Sequence, residues 1–257
     1  MPDARATPDF LIIGAQKSGT SSLYSYISQH PEVIPTVKKE VHYFDNNFQK
    51  GDAWYRNHFP PVQLLSQCHC ITGEASPYYL FHPHSPVRIR EYIPGVKLIV
   101  MLRNPVDRAI SHYFHVRRKN KEPLDMREAF EKEDQRIAPE LKKMLHDLSY
   151  QSPAYLRFSY KKRGIYVDQI ERYLELFPRQ QMLILKSEDL FADTPATLRV
   201  VYDFLNINTD YMPEDMRVKN IGQYSRRIDE RIYTELEEYY RPHNERLYAS
   251  LGRDFGW

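Results

Sequence analysis

The chain has 257 residues, 42% of them hydrophobic, which is enough for one large α/β domain spanning 1–257 with a sizeable core. Its 36 Lys and Arg against 34 Asp and Glu leave a formal net charge of +2, without the strong basic bias of a nucleic-acid binder. The longest apolar run, Val96 to Leu102 with Lys97 inside it, is too short to span a bilayer, so a cytoplasmic protein without a membrane partner is expected.

In chain order, the continuous apolar run Phe10 to Gly14 predicts a strand buried on both faces of a parallel sheet. Ser18 to Gln29 predicts a helix that ends at His30 and Pro31. Val33 to Asp45 is irregular or partly extended, and Asp52 to His58 makes a turn or two of helix before Pro60 and Pro61. His69 to Thr72 predicts a second strand running into the loop from Gly73 to Tyr79. The two cysteines, Cys68 and Cys70, flank a single residue; a bridge that short is strained, so free thiols are expected. Ser85 to Tyr92 is a helix stopped by Pro94 and Gly95, and Val96 to Leu102 is the clearest strand.

Pro105 then opens a helix to about Lys119. Residues 121–163 are polar and helical in pattern, and Gly164 to Phe177 is amphipathic. Gln181 to Leu185 is a buried strand, Thr194 to Leu205 a helix, and Asp229 to Leu251 a long helix expected to break near Pro242. Strands alternating with helices define an α/β fold with a central, mostly parallel sheet flanked by helices. The 20 Tyr suit pocket walls and core edges.

Ligands of such sheets bind at the carboxyl ends of the strands. The first strand runs there into Gly14-Ala15-Gln16-Lys17-Ser18-Gly19-Thr20-Ser21-Ser22. Backbone amides at a helix start beside one Lys form a phosphate cradle. In a Walker A loop the Lys follows the second Gly. Here Lys17 precedes Gly19 and Thr20 takes that place, so the loop departs from an ATP or GTP loop. After the strongest strand come Arg103, Asp107, Arg108 and Ser111. Arg103 can clamp a second anion bidentately and Ser111 can donate to it, which points to a nucleotide phosphorylated at two positions.

These stretches resemble the sulfotransferase family. LIIGAQKSGTSS (Leu11 to Ser22) is similar to its 5′-phosphosulfate loop, and VKLIVMLRNPVDRAIS (Val96 to Ser111) to its 3′-phosphate segment. KEVHYFD (Lys39 to Asp45), Trp54-Tyr55 and the ending GRDFGW (Gly252 to Trp257) resemble the heparan-sulfate type of catalytic domain. The resemblance implies a P-loop-like three-layer fold and transfer of the sulfuryl group of 3′-phosphoadenosine-5′-phosphosulfate (PAPS) to a hydroxyl, leaving 3′-phosphoadenosine-5′-phosphate (PAP). It implies that Lys17 holds the bridging oxygen of the leaving phosphate. Ser18, Gly19, Thr20, Ser21 and Ser22 surround the 5′-phosphate, and Arg103 and Ser111 bind the 3′-phosphate. Glu40 is the general base, with His42 as the rival for that role, and Arg226 and Arg227 border the cofactor.

A sulfuryl group carries less charge than a phosphoryl group, so no metal is expected, and no Walker B-type Asp is visible. Two departures from the resemblance stand out. The glycan enzymes carry a Lys where this chain has Ala75, and a Cys-bridged loop where it has the Cys-free stretch Ile221 to Arg227. The expected acceptor is a small molecule, such as a secondary metabolite, or a carbohydrate. A P-loop kinase or NTPase and a non-catalytic nucleotide-binding protein are the alternatives.

Overall fold

The computed structural model describes residues 4–219 and 228–257. In chain order they form β1 (Phe10–Gly14), α1 (Thr20–Ile27), α2 (Gly51–Arg56), α3 (Val62–Cys68), β2 (Gly73–Ala75), α4 (Ser85–Tyr92), β3 (Lys97–Leu102), α5 (Pro105–Arg118), α6 (Met126–Glu131), α7 (Glu133–His146), α8 (Pro153–Phe158), α9 (Tyr166–Leu174), β4 (Met182–Lys186), α10 (Ser187–Ala192), α11 (Thr194–Leu205) and α12 (Glu230–Leu251). They divide into two compact units, one of 4–102 with 173–219, the other of 103–172 with 228–257.

The first unit holds one sheet in the order β2-β1-β3-β4, with every pairing parallel. β1 sits inside the sheet, where a strand covered on both faces has no polar side: Phe10, Leu11, Ile12 and Ile13 are each 0% exposed. Helices α1 and α11 lay Leu23, Tyr26, Ile27, Leu198 and Tyr202 against Phe10, Ile12, Ile99 and Met101. Because the strands are parallel, the chain leaves β1, β2 and β4 at one common edge of the sheet. Tyr55, Tyr79 and Tyr173 are fully buried in this unit, deeper than the core-edge placement expected of the tyrosines. Burial is compatible with the phenol where the hydroxyl finds an acceptor, as Tyr173 does at the Tyr79 carbonyl, 2.9 Å away.

Two expectations for this unit are corrected. The second strand is Gly73–Ala75, just beyond the predicted span His69 to Thr72; within that span Ile71 makes an isolated bridge to Val33. Residues 62–68 form α3, and His69 ends the helix in the left-handed region at φ 54°. That reversal brings the Cα atoms of Cys68 and Cys70 to 5.2 Å, within disulfide range, and the two are bonded where free thiols were expected.

In the second unit, Asn104 caps α5 by accepting from the amides of Val106 and Asp107, with Pro105 at the first helical position. α12 runs without a break through Pro242. The missing amide of Pro242 removes one helical bond. The flanking turns nevertheless bury Tyr240, Asn244 and Leu247, and the Tyr240 hydroxyl donates to the Lys161 carbonyl at 2.9 Å, which holds the helix on course.

Candidate active site

β1 ends at Gly14, and the loop 15–19 turns the chain into α1. Gly19 takes φ 85° at the start of that helix, a left-handed conformation in which side chains are strained. A Cβ there would also stand 3.0 Å from the Phe191 ring. Lys17 shares the left-handed region at φ 73°. Ser18 is 0% exposed, and its hydroxyl has no hydrogen-bond partner among the described residues. A buried hydroxyl without a partner costs roughly 1–3 kcal/mol, so its persistence beside helix-start amides and a Lys fits a bound phosphate group. Thr20 and Ser22 are buried, and the Ser22 hydroxyl accepts from the Lys219 amide at 2.9 Å. The residues expected on this loop therefore gather backbone amides, hydroxyls and one Lys at the start of α1.

The segment 39–45 stands against this loop through one side chain. The Lys39 ammonium donates to the Ser21 hydroxyl at 2.7 Å and lies 3.2 Å from Glu40 Oε1. Glu40 Oε2 faces His42 Nε2 at 3.3 Å, and His42 Nδ1 lies 2.7 Å from Asp45 Oδ2. The result is a carboxylate–imidazole–carboxylate chain. An extended backbone was expected to set Glu40 and His42 on one side. The side chains do meet, but both residues adopt left-handed φ, 58° and 57°, so a turn brings them together.

The electrostatics follow from this chain. Burial alone would raise the Glu40 carboxyl, but the bond from His42 and the Lys39 charge overcome it and hold the group at about 2. Burial alone would lower His42; the bonds to Asp45 and Glu40 instead lift it to about 10, so the imidazole is charged at neutral pH. The Glu40 side chain is 43% exposed and the neighbouring solvent screens its ion pairs.

A buried group beneath this segment escaped the sequence reading. Glu74, on β2, is 0% exposed and accepts from Tyr55 OH at 2.9 Å, Tyr79 OH at 2.8 Å, Ser76 Oγ at 2.7 Å and the Val41 amide at 3.2 Å. Burial raises its carboxyl, and the hydroxyls of Ser76, Tyr79 and Tyr55 work against that rise. The His42 amide donates to Ser76 Oγ at 3.0 Å and the Tyr43 amide to Tyr79 OH at 2.7 Å. Three consecutive amides, 41 to 43, are thus bound by Glu74 and the hydroxyls it orders. The clue was in the sequence, a Glu on a short apolar strand followed by Ser76 and Tyr79, but a buried carboxylate is recognisable only once its donors are placed. Asp45, 4% exposed, was likewise read as part of a motif and not as the partner of His42.

Ala75 is 0% exposed in the sheet core, paired with Ile12. In the second unit, Arg103 precedes α5 and Nη2 lies 3.7 Å from Asp107 Oδ2, while its carbonyl accepts from Tyr166 OH at 2.9 Å. Ser111 is 2% exposed, one turn beyond Asp107. Spacing of four places Asp107 and Ser111 on one side of α5. Arg226 and Arg227 lie outside the described residues. No cluster of metal-ligating side chains occurs among the described residues.

A parallel sheet whose first strand runs into a hydroxyl-rich loop with one Lys, with a carboxylate–imidazole pair joined to that loop through Lys39, has the make-up of a group-transfer enzyme. Residues 7–238 match the sulfotransferase domain, and the chain belongs to that family, whose members draw the sulfuryl group from PAPS. Human heparan sulfate glucosamine 3-O-sulfotransferase 6 is 31% identical over 279 residues, covering 100% of this chain and 75% of the relative. Mouse heparan sulfate glucosamine 3-O-sulfotransferase 3B1 is 32% identical, covering 99% of this chain and 66% of the relative. The membrane-associated sulfotransferase kil1 of Dictyostelium discoideum is 28% identical, covering 97% and 66%. This chain thus spans 66% to 75% of the length of these relatives. The crystal structure of a sulfotransferase from Alicyclobacillus acidocaldarius superposes with a TM-score of 0.74 at 32% identity, covering 97% of this chain and 98% of that one. No helix among the described residues is long and apolar enough to cross a membrane.

Proposed function

We propose that this sulfotransferase moves the sulfuryl group of PAPS to a hydroxyl of a carbohydrate or small-molecule acceptor, with Glu40 as general base and no metal. The observation that carries the reading is the Lys39 bridge. It sets the Glu40 carboxylate one ammonium away from the Ser21 hydroxyl of the phosphate loop, so base and leaving-group cradle belong to one site. The acceptor oxygen bonds to sulfur as its proton passes to Glu40. The sulfur–oxygen bond to the 5′-phosphate breaks, and the electron pair stays on the phosphate. Lys17, the amides of Gly19 and Thr20, and the hydroxyls of Ser18, Thr20 and Ser21 meet that growing charge. Ser22 keeps the end of the cradle closed through its bond to Lys219.

His42, charged and anchored on Asp45, orients Glu40. Charged imidazole has no lone pair to accept a proton, which favours Glu40 over His42 as the base. Arg103 and Ser111 hold the 3′-phosphate, and the glucosamine acceptors in the relatives' names favour a carbohydrate hydroxyl here. The test is transfer from sulfur-labelled PAPS to heparan sulfate and to a panel of phenols and alcohols, by wild type and Glu40→Gln. Loss of a general base costs about 10²–10⁴-fold in kcat while PAP affinity holds. Equal transfer by the two proteins removes Glu40 from the role.

A further inference from the structure

Lys39 has a position that the general-base reading leaves unexplained. It precedes Glu40 in sequence, yet its ammonium reaches back to the first turn of α1. It meets Ser21 Oγ at 2.7 Å and keeps Glu40 Oε1 at 3.2 Å, with 32% of the side chain exposed. An in-line displacement places the transferred group between the attacking oxygen and the leaving oxygen. Glu40 marks the attacking side, and Ser21, on the phosphate cradle, marks the leaving side. A cation in contact with both markers lies alongside the position that the transferred group occupies.

We propose that Lys39 is the cation that binds the sulfonate oxygens of PAPS and holds them through transfer. The proposal rests on the sulfotransferase reading of the site and assigns its missing positive charge. β2 reaches the same edge of the sheet without a cation: Glu74 and Ala75 are both 0% exposed, and Ala75 belongs to the apolar core. The ammonium carries three donors, two of which are engaged by Ser21 and Glu40. The remaining donor, and the one on Glu40, are available to sulfonate oxygens. Turning from Glu40 to the sulfonate also releases Oε1 of Glu40 as the acceptor hydroxyl arrives. The ammonium therefore couples arrival of the sulfuryl group to release of the base.

PAPS and PAP differ by the sulfuryl group, so their affinity ratio isolates a contact to it without any acceptor. Titration calorimetry of PAPS and PAP into wild type, Lys39→Met, Lys39→Gln and Lys39→Arg reads that ratio. The expected result is a fall of about tenfold or more in PAPS affinity for the Met and Gln variants, PAP affinity within twofold, and substantial recovery with Arg. An unchanged PAPS-to-PAP ratio in a folded Met or Gln variant overturns the proposal. Equal loss of both nucleotides overturns it too, since Lys39 would then serve the phosphate or the loop. If wild type binds neither nucleotide, the sulfotransferase reading of the site fails with it. That outcome is distinct from either Lys39 result.

Discussion

The Glu74 carboxylate, buried on β2, accepts the Val41 amide at 3.2 Å and so reaches the backbone between Glu40 and His42. Its remaining lone pairs face Tyr55, Tyr79 and Ser76, whose hydroxyls or oxygens secure Glu74 and the next amides in turn. A buried carboxylate with this many donors is a scaffold for the turn that carries the reactive side chains.

Glu74→Gln tests that scaffold. An amide nitrogen then faces donors that need an acceptor, which costs roughly 1–3 kcal/mol at a fully buried site. Expected are a lower melting temperature and a kcat reduced by displacement of Glu40. Tyr55→Phe removes a single donor and should leave kcat near wild type. A Glu74→Gln protein with wild-type kcat and melting temperature contradicts the assignment.

Ser18→Ala has opposite expected effects on the free protein and on binding. The hydroxyl has no partner among the described residues, so its removal is expected to be neutral or stabilising in thermal unfolding. PAP affinity, measured by calorimetry, should fall by severalfold because the hydroxyl's use is the phosphate. Destabilisation without loss of affinity would show a structural hydroxyl instead.

His42 predicts a pH dependence with a definite sign. Its pKa is raised above the ordinary 6.5 to about 10, despite the opposing effect of burial, by Asp45 and Glu40. Its contribution to stability is complete below about pH 6.5 and is lost as pH rises through 10. Glu40 acts in the opposite direction. Lowered to about 2, it contributes above its ordinary value of 4.5 and loses that contribution only as pH falls through 2. The melting-temperature gap between wild type and His42→Gln should therefore narrow between pH 6.5 and 10. A gap that stays constant or widens over that range refutes the charged imidazole.

Arg103→Ala should discriminate two nucleotides. If Arg103 clamps the 3′-phosphate, PAP affinity falls about tenfold or more, while adenosine 5′-monophosphate, which lacks that group, binds within twofold of wild type. Equal losses would place Arg103 at the 5′-end or in structural support through its Asp107 pair.

Much of this organisation is local and was legible in the chain itself. A run such as Phe10 to Gly14 states its own burial, because an all-apolar strand is stable only under two covering layers. The loop with Lys17 and Gly19 carries the composition of an anion cradle, with glycine, backbone amides and a cation in sequence. The misjudged features were those in which nearest neighbours competed with distant ones. His69 to Thr72 has strand composition, but His69 is taken by the turn that ends α3, Ile71 makes only an isolated bridge to Val33, and the paired strand is Gly73–Ala75. Pro242 has the character of a breaker, but the buried side chains on either side keep α12 whole.

Sequence by itself determined the α/β class, from the alternation of apolar runs with helical patterns, and the presence of the Lys17–Gly19 loop and the Glu40–His42 motif, each written in contiguous residues. Tertiary structure alone decided that Asp45 supports His42, that Glu74 binds the amides of 41 to 43, and that Lys39 reaches Ser21. These relations depend on burial and on left-handed turns at Glu40 and His42, where one rotation of the backbone redirects a side chain. A linear pattern specifies which groups are present. Their pKa values and partners arise only when folding removes water and brings distant donors within hydrogen-bond reach.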